Sequence, residues 1–153
     1  MPMPSTNRIP IRTEVRMIDE DISLQEVREL FKNDRFATEC AGCRILEAKR
    51  GYAVVEMPLK PSHLNARGNV MGGAIFTLGD FACAIAGNIG QDPSISTTAD
   101  IRFLSTAKGT KLIATCTGDR LGRSLGSFTV TIADERGNSV AIMTSTLFRL
   151  LRE

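Results

Sequence analysis

Gly68-Asn69-Val70-Met71-Gly72-Gly73-Ala74-Ile75-Phe76-Thr77-Leu78-Gly79-Asp80-Phe81-Ala82-Cys83-Ala84-Ile85-Ala86-Gly87-Asn88-Ile89-Gly90-Gln91 is twenty-four residues long and carries one charged side chain, Asp80. From the glycine pair Gly72-Gly73 onward the apolar run is too long for a strand and has the length of a buried helix. Its glycines, Asn69, Asn88 and central acid make it a poor membrane span. Burying an ionised carboxylate costs several kcal/mol unless it is paired or reprotonated. The same desolvation tunes a carboxyl for work on a proton, so Asp80 is a candidate general base. The competing reading is a carboxylate satisfied by backbone or threonine hydroxyls in the core.

Outward from this helix the period changes to that of strands. Cys43–Lys49 and Tyr52–Leu59 read as a hairpin closed by Arg50-Gly51, with Pro58 and Pro61 ending the pairing. After Asp92-Pro93 four alternating segments follow, Ile95–Leu104, Lys111–Arg120, Ser124–Asp134 and Ser139–Leu150, punctuated by Gly109, Gly122 and Gly137. Short connections predict that these four form an antiparallel meander. Ahead of them Ser23 and Glu26 form a capping-box pattern for a helix from Ser23 to about Lys32, carrying Leu24, Val27, Leu30 and Phe31. The expected organisation is a flexible leader over 1–22 and a single α+β domain over 23–153, its antiparallel sheet wrapped around the long helix.

A chain of 153 residues can bury one core without disulfides. A formal net charge of +2 gives no electrostatic reason to expect nucleic acid as a partner. Four cysteines, Cys40, Cys43, Cys83 and Cys116, and the lack of a signal-like apolar run before Arg16 favour a reducing, cytoplasmic location. Cys40-Ala-Gly-Cys43 has metal-site spacing, but no second cysteine pair accompanies it and His63 is the sole histidine, so no metal is expected.

Gly72, at the helix start, has an N–H at the positive end of the helix dipole, where it can stabilise negative charge on a carbonyl oxygen. A Gly-Gly pair also suits a tight turn with close helix packing. Asp80 lies eight residues on, roughly 12 Å along the helix axis. If the two groups serve one carbonyl, the acid must come from a second copy packed antiparallel to the first, which predicts a homodimer with two sites at its seam.

The segment His63-Leu64-Asn65-Ala66-Arg67-Gly68-Asn69-Val70-Met71-Gly72-Gly73 through Asp80 resembles the signature of hotdog-fold acyl-CoA thioesterases, particularly the phenylacetate-pathway type. Ile101-Arg102-Phe103-Leu104, Gly122-Arg123-Ser124-Leu125 and Asp134-Glu135-Arg136-Gly137-Asn138 extend the similarity over most of residues 36 to 150. The resemblance implies a hotdog fold, hydrolysis of an acyl- or aryl-CoA thioester, and a dimer or dimer of dimers. No cofactor is implied beyond coenzyme A as part of the substrate. It makes Asp80 the general base or nucleophile, the Gly72 amide the oxyanion donor and Asn65 a substrate- or water-holding residue. Thr98 falls nearest the strand hydroxyl that positions water, with Thr97 and Ser96 in reach. Gly73, Met71 and Thr97 would border substrate, and Arg120, Arg123 and Ser124 would meet CoA phosphates, for which arginine's planar fork is suited. Met71 stands where many members carry a histidine and cannot donate a hydrogen bond. A non-catalytic acyl-CoA sensor is the alternative. A dehydratase fits poorly, since His63 lies outside the helix that carries Asp80.

Overall fold

The computed structural model of the chain describes residues 16–150. Helix α1 (Leu24–Phe31) starts at Ser23 with both halves of the capping box made, Ser23 Oγ accepting from the Glu26 N–H and Glu26 Oε2 from the Ser23 N–H. Its buried stripe is Val27 and Phe31, and the Phe31 ring meets Phe81 of the long helix edge-on, centroids 6.1 Å apart. A π-helical turn (Phe36–Cys40) occupies the following connection. Strands β1 (Arg44–Lys49) and β2 (Tyr52–Pro58) form the expected hairpin, with Gly51 at φ 71°, and α2 (Gly72–Asn88) is the apolar helix. Then come β3 (Ser94–Phe103), β4 (Lys111–Leu121), β5 (Leu125–Asp134) and β6 (Ser139–Arg149).

All six strands pair antiparallel in one sheet of order β1-β2-β4-β5-β6-β3. The four-strand meander therefore needs correction. Only β4, β5 and β6 follow it, while β3 lies beyond β6 and β2 takes the place beside β4. At 1.5 Å per residue α2 is about 25 Å long. It carries the chain across the sheet face, so β3 starts on the far side and cannot reach β4.

One face of the sheet wraps α2, whose Leu78, Phe81, Ala82, Ile85 and Ala86, with Ile89 just past its end, pack against Val55, Met57, Leu112, Ala114, Val130, Ile132 and Met143 in one core. Two helical glycines set the closeness of this contact. A β-carbon on Gly79 would lie 2.9 Å from Met143 Sδ, and one on Gly87 would lie 2.3 Å from Leu147 Cδ2. Glycine weakens a helix by roughly 1 kcal/mol relative to alanine, and here the close approach requires it.

The leader assigned to 1–22 lies for residues 1–15 outside the described residues. From Arg16 the chain runs along the domain, Ile18 bridging Ile89 in parallel and accepting from the Gly90 N–H at 2.8 Å. The segment between β3 and β4 is held by two carboxylates of the β5–β6 turn. Asp134 accepts from the N–H groups of Lys108, Arg136 and Asn138 at 2.8, 3.0 and 3.0 Å, and Glu135 Oε1 accepts from the N–H and hydroxyl of Thr110 at 2.7 and 2.9 Å. These donors hold Glu135 well below the usual carboxylate range, at about 2, the Thr110 N–H foremost.

Candidate active site

α2 opens at Met71, an N-cap whose side chain makes no capping bond. The N–H groups of Gly72 and Gly73 therefore stay free of backbone partners among the described residues, at the positive end of the helix. Beside them the loop 65–69 closes on itself. Asn65 Oδ1 accepts from the N–H groups of Arg67 (2.9 Å) and Asn69 (3.1 Å), and the Asn65 N–H donates to the Asn69 carbonyl at 2.8 Å. With its oxygen so used, the Asn65 side chain keeps its NH₂ as a donor without a partner among the described residues. Asn65, Gly72 and Ile75 line a groove of about 380 Å³ whose opposite wall is Phe103 to Ala107. That wall is the segment pinned by Asp134 and Glu135. Met71 is exposed at the rim, and a β-carbon on Gly73 would lie 3.3 Å from its Cε.

Asp80 lies midway along α2, partly buried, and its carboxyl has no hydrogen bond or ion pair among the described residues. Desolvation raises its pKa above the usual carboxylate range. A satisfied core carboxylate, the competing reading, would carry partners that Asp80 lacks. A second carboxyl, Asp34, stands near enough to feel it; burial and then Asp80's charge raise Asp34 too. Nothing in the sequence pattern signalled Asp34, which the Phe31–Phe81 contact between α1 and α2 brings to Asp80.

On β3 the pairing with β6 sorts the three candidate hydroxyls. Ser96 stands opposite Leu147, a buried residue on the α2 side, while Thr98 stands opposite Thr146 on the outer side. A bulge between Ser96 and Thr98 leaves Thr97 unpaired, its hydroxyl donating to the Thr146 carbonyl at 3.1 Å. The bulged residue shifts the alternation by one, so that Ser96 is on the α2 side of the sheet and Thr98 on the outer side. Thr98 is tied to the α2 side only through its carbonyl, which accepts from Ser145 Oγ at 3.1 Å.

Arg120, Arg123 and Ser124 are not brought to the Gly72 groove of their own protomer. They belong to the β4–β5 hairpin, and Arg123 lines a separate cavity with Gly90 just beyond the C-terminal end of α2. Arg120, opposite Ser127 on β5, is not part of that cavity lining.

His63 is buried, with Nδ1 accepting from the Lys60 N–H at 3.1 Å and desolvation lowering its pKa. It braces the loop before the groove. Cys43 is buried and its thiol is pushed up to about 11 by burial. No helix among the described residues is long and apolar enough to cross a membrane.

Known proteins carry the same arrangement of sequence and fold. The family described as the Thioesterase superfamily matches residues 67–141. A protein of Archaeoglobus fulgidus named "Putative esterase" is 34% identical over 122 residues, 79% of each chain. Acyl-coenzyme A thioesterase PaaI of Escherichia coli K12 is 29% identical over 77% of this chain and 84% of its own length. The solved structure of the E. coli PaaI protein superposes with a TM-score of 0.77 at 26% identity, covering 83% of this chain and 92% of that one. A hypothetical thioesterase from Streptococcus pneumoniae TIGR4, solved with coenzyme A, gives a TM-score of 0.73 at 25% identity over 80% of this chain and 98% of its own.

Proposed function

The chain belongs to the hotdog-fold thioesterase superfamily and is a thioester hydrolase, and from that premise we propose that it cleaves an acyl- or aryl-CoA thioester with Asp80 as general base and the Gly72 amide as oxyanion donor. The observation that carries this reading is the partly buried Asp80 carboxyl, raised in pKa and without a partner, on a helix otherwise free of charge.

The steps follow from these groups. The substrate carbonyl oxygen accepts from the Gly72 N–H, with the Asn65 NH₂ beside it. Water held by Ser96 attacks the carbonyl carbon as Asp80 takes its proton. Negative charge gathers on the carbonyl oxygen and is met by the helix N-terminus. The C–S bond then breaks, CoA leaves as the thiol after receiving the proton from Asp80, and the free acid remains. Raising the carboxyl's pKa makes it a stronger base, provided that the pH keeps it ionised.

Because Asp80 and Gly72 of one chain are roughly 12 Å apart along α2, each site takes Asp80 from one protomer and Gly72 from its partner. The dimer would form along β3, a ten-residue edge strand with an unused row of backbone groups and nearly every side chain exposed. Exposed Met71, Phe103 and Leu104 flank this edge and would be covered with it. The related protein solved with coenzyme A supports a CoA ester as substrate, and the free thiols among the described residues fit a reducing cytoplasm. The test is release of free CoA from a panel of acyl- and aryl-CoAs by the wild type and by Asp80→Asn. Hydrolysis lost in the variant supports the assignment, and hydrolysis retained by it would remove Asp80 from the mechanism.

A further inference from the structure

Most of the wall that faces Asn65 and Gly72 across the groove has no regular structure. Residues 104–110 belong to no helix or strand, yet Leu104 to Ala107, with Phe103 at the end of β3, form that wall. Two side chains of the β5–β6 turn bracket the segment. At its far end the Lys108 N–H donates to Asp134 Oδ2 at 2.8 Å, and nearer its start Asn138 Nδ2 donates to Ser105 Oγ at 3.1 Å and to the Thr106 carbonyl at 2.9 Å. From Thr106 to Lys108 these are the only hydrogen bonds to another element among the described residues. Neither Asp134 nor Asn138 lines the groove itself.

The chemistry of both residues exceeds what their own turn needs. Asp134 Oδ1 accepts from the N–H groups of Arg136 and Asn138, each at 3.0 Å, and an asparagine oxygen would close that turn equally well. What a carboxylate adds is a second acceptor, and that one reaches Lys108. Asp134 is 2% exposed, and an ionised carboxylate is costly to bury unless its oxygens are hydrogen-bonded. Its N–H donors, Lys108 foremost, hold its pKa below the usual carboxylate range. Asn138 is the complement: its backbone N–H serves the turn and its side-chain NH₂ is left for the wall.

We propose that Asp134 and Asn138 are positioning residues of the thioester site, holding segment 105–108 from outside the groove and so setting its width. The inference rests on the reading given above, in which the substrate carbonyl lies at the Gly72 N–H. A wall touches substrate and transition state alike, so its displacement removes uniform binding and raises KM while kcat is kept.

The test compares wild type, Asp134→Asn and Asn138→Ala by steady-state hydrolysis of one acyl-CoA and by amide hydrogen exchange. Asp134→Asn keeps the turn and sets an NH₂ against the Lys108 N–H; Asn138→Ala keeps the backbone N–H that Asp134 uses and removes both bonds to the wall. Each variant should raise KM at least about fivefold with kcat within about twofold, the pattern of lost uniform binding. Exchange should quicken over residues 104–110 and stay unchanged in α2, as local opening requires. Should Asp134→Asn fail to fold, Asn138→Ala, at a half-buried side chain, decides by the same two readouts. Wild-type KM in the folded variants, whether their exchange is altered or their melting temperature lowered, would overturn the positioning role. Gly72→Ala in the same assay reports on the groove itself. Full activity there would remove the substrate from the groove, whereas a loss there beside wild-type KM in the turn variants would overturn this proposal alone.

Discussion

The ring of Phe103 lies across Gly72 so closely that a β-carbon on Gly72 would come to 3.0 Å from its Cζ. The helix mouth and the end of the edge strand are therefore fitted to each other, and the groove between them has room for a thioester only because residue 72 has no side chain. Gly72→Ala keeps the backbone N–H but displaces the ring. A shift of about 1 Å in a reacting geometry can cost about a hundredfold, so kcat should fall by tenfold or more. Gly73→Ala, which meets only the flexible end of Met71 at 3.3 Å, should lose much less. Adding Phe103→Leu to Gly72→Ala should recover activity, and an equal loss in both single variants would show that the ring is not the cause.

Asp80→Asn should lower kcat/KM at least about a hundredfold, the usual scale for a general base. Its stability should move the other way. Burial raises the folded-state pKa of Asp80, so the ionised form is disfavoured in the folded protein: stability is highest below the unfolded pKa and falls as pH rises through the folded one. The variant should therefore melt higher than the wild type at neutral pH, with the gap closing on acidification. A variant that melts lower at pH 7 would contradict the desolvation account.

In the wild type the acid limb of kcat/KM should lie above the ordinary carboxylate range, because Asp80 acts only when ionised and burial keeps its proton longer. Asp80's charge adds to burial in raising the pKa of Asp34, whereas burial alone raises that of Asp80. Asp34 therefore holds its proton while Asp80 ionises, and Asp34→Asn should leave that limb in place. A limb moved to lower pH in the variant would mean that Asp34 is already charged beside Asp80.

Ser96→Ala should reduce kcat by tenfold or more if that hydroxyl holds the attacking water, on the scale of lost hydrogen bonds to a reacting group. Thr98→Val, on the outer side of β3, should leave kcat within about twofold by the same reasoning. The reverse ranking would place the water on the other side of the bulge.

Sites shared between protomers can be detected by mixing two inactive variants. Asp80→Asn and Asn65→Ala, unfolded together and refolded in equal amounts, should regain about a quarter of wild-type activity, since half the dimers are mixed and each mixed dimer has one intact site. No recovery, in a preparation that light scattering shows to be dimeric, would place both residues in the same protomer's site.

Much of this protein was legible in the sequence because the signals were local. The lone acid in an apolar run, the glycine pair at its start, the capping box at Ser23 and the strand alternation after Pro93 each depend on residues a few positions apart, where helix and strand periods operate. Composition and order therefore sufficed for α2, the six strands and the pairing of Asp80 with Gly72 as the chemistry to look for. Tertiary structure alone decided that β3 crosses to the far edge, because α2 carries the chain over the sheet. It also decided that the bulge at Thr97 turns Thr98 outward and leaves Ser96 facing α2, and that Phe103 closes over Gly72. It set Asp134 and Asn138 of the β5–β6 turn against the wall of the Gly72 groove. Each of these is set by strand register and by packing between distant segments, and neither leaves a trace in the spacing of neighbouring residues.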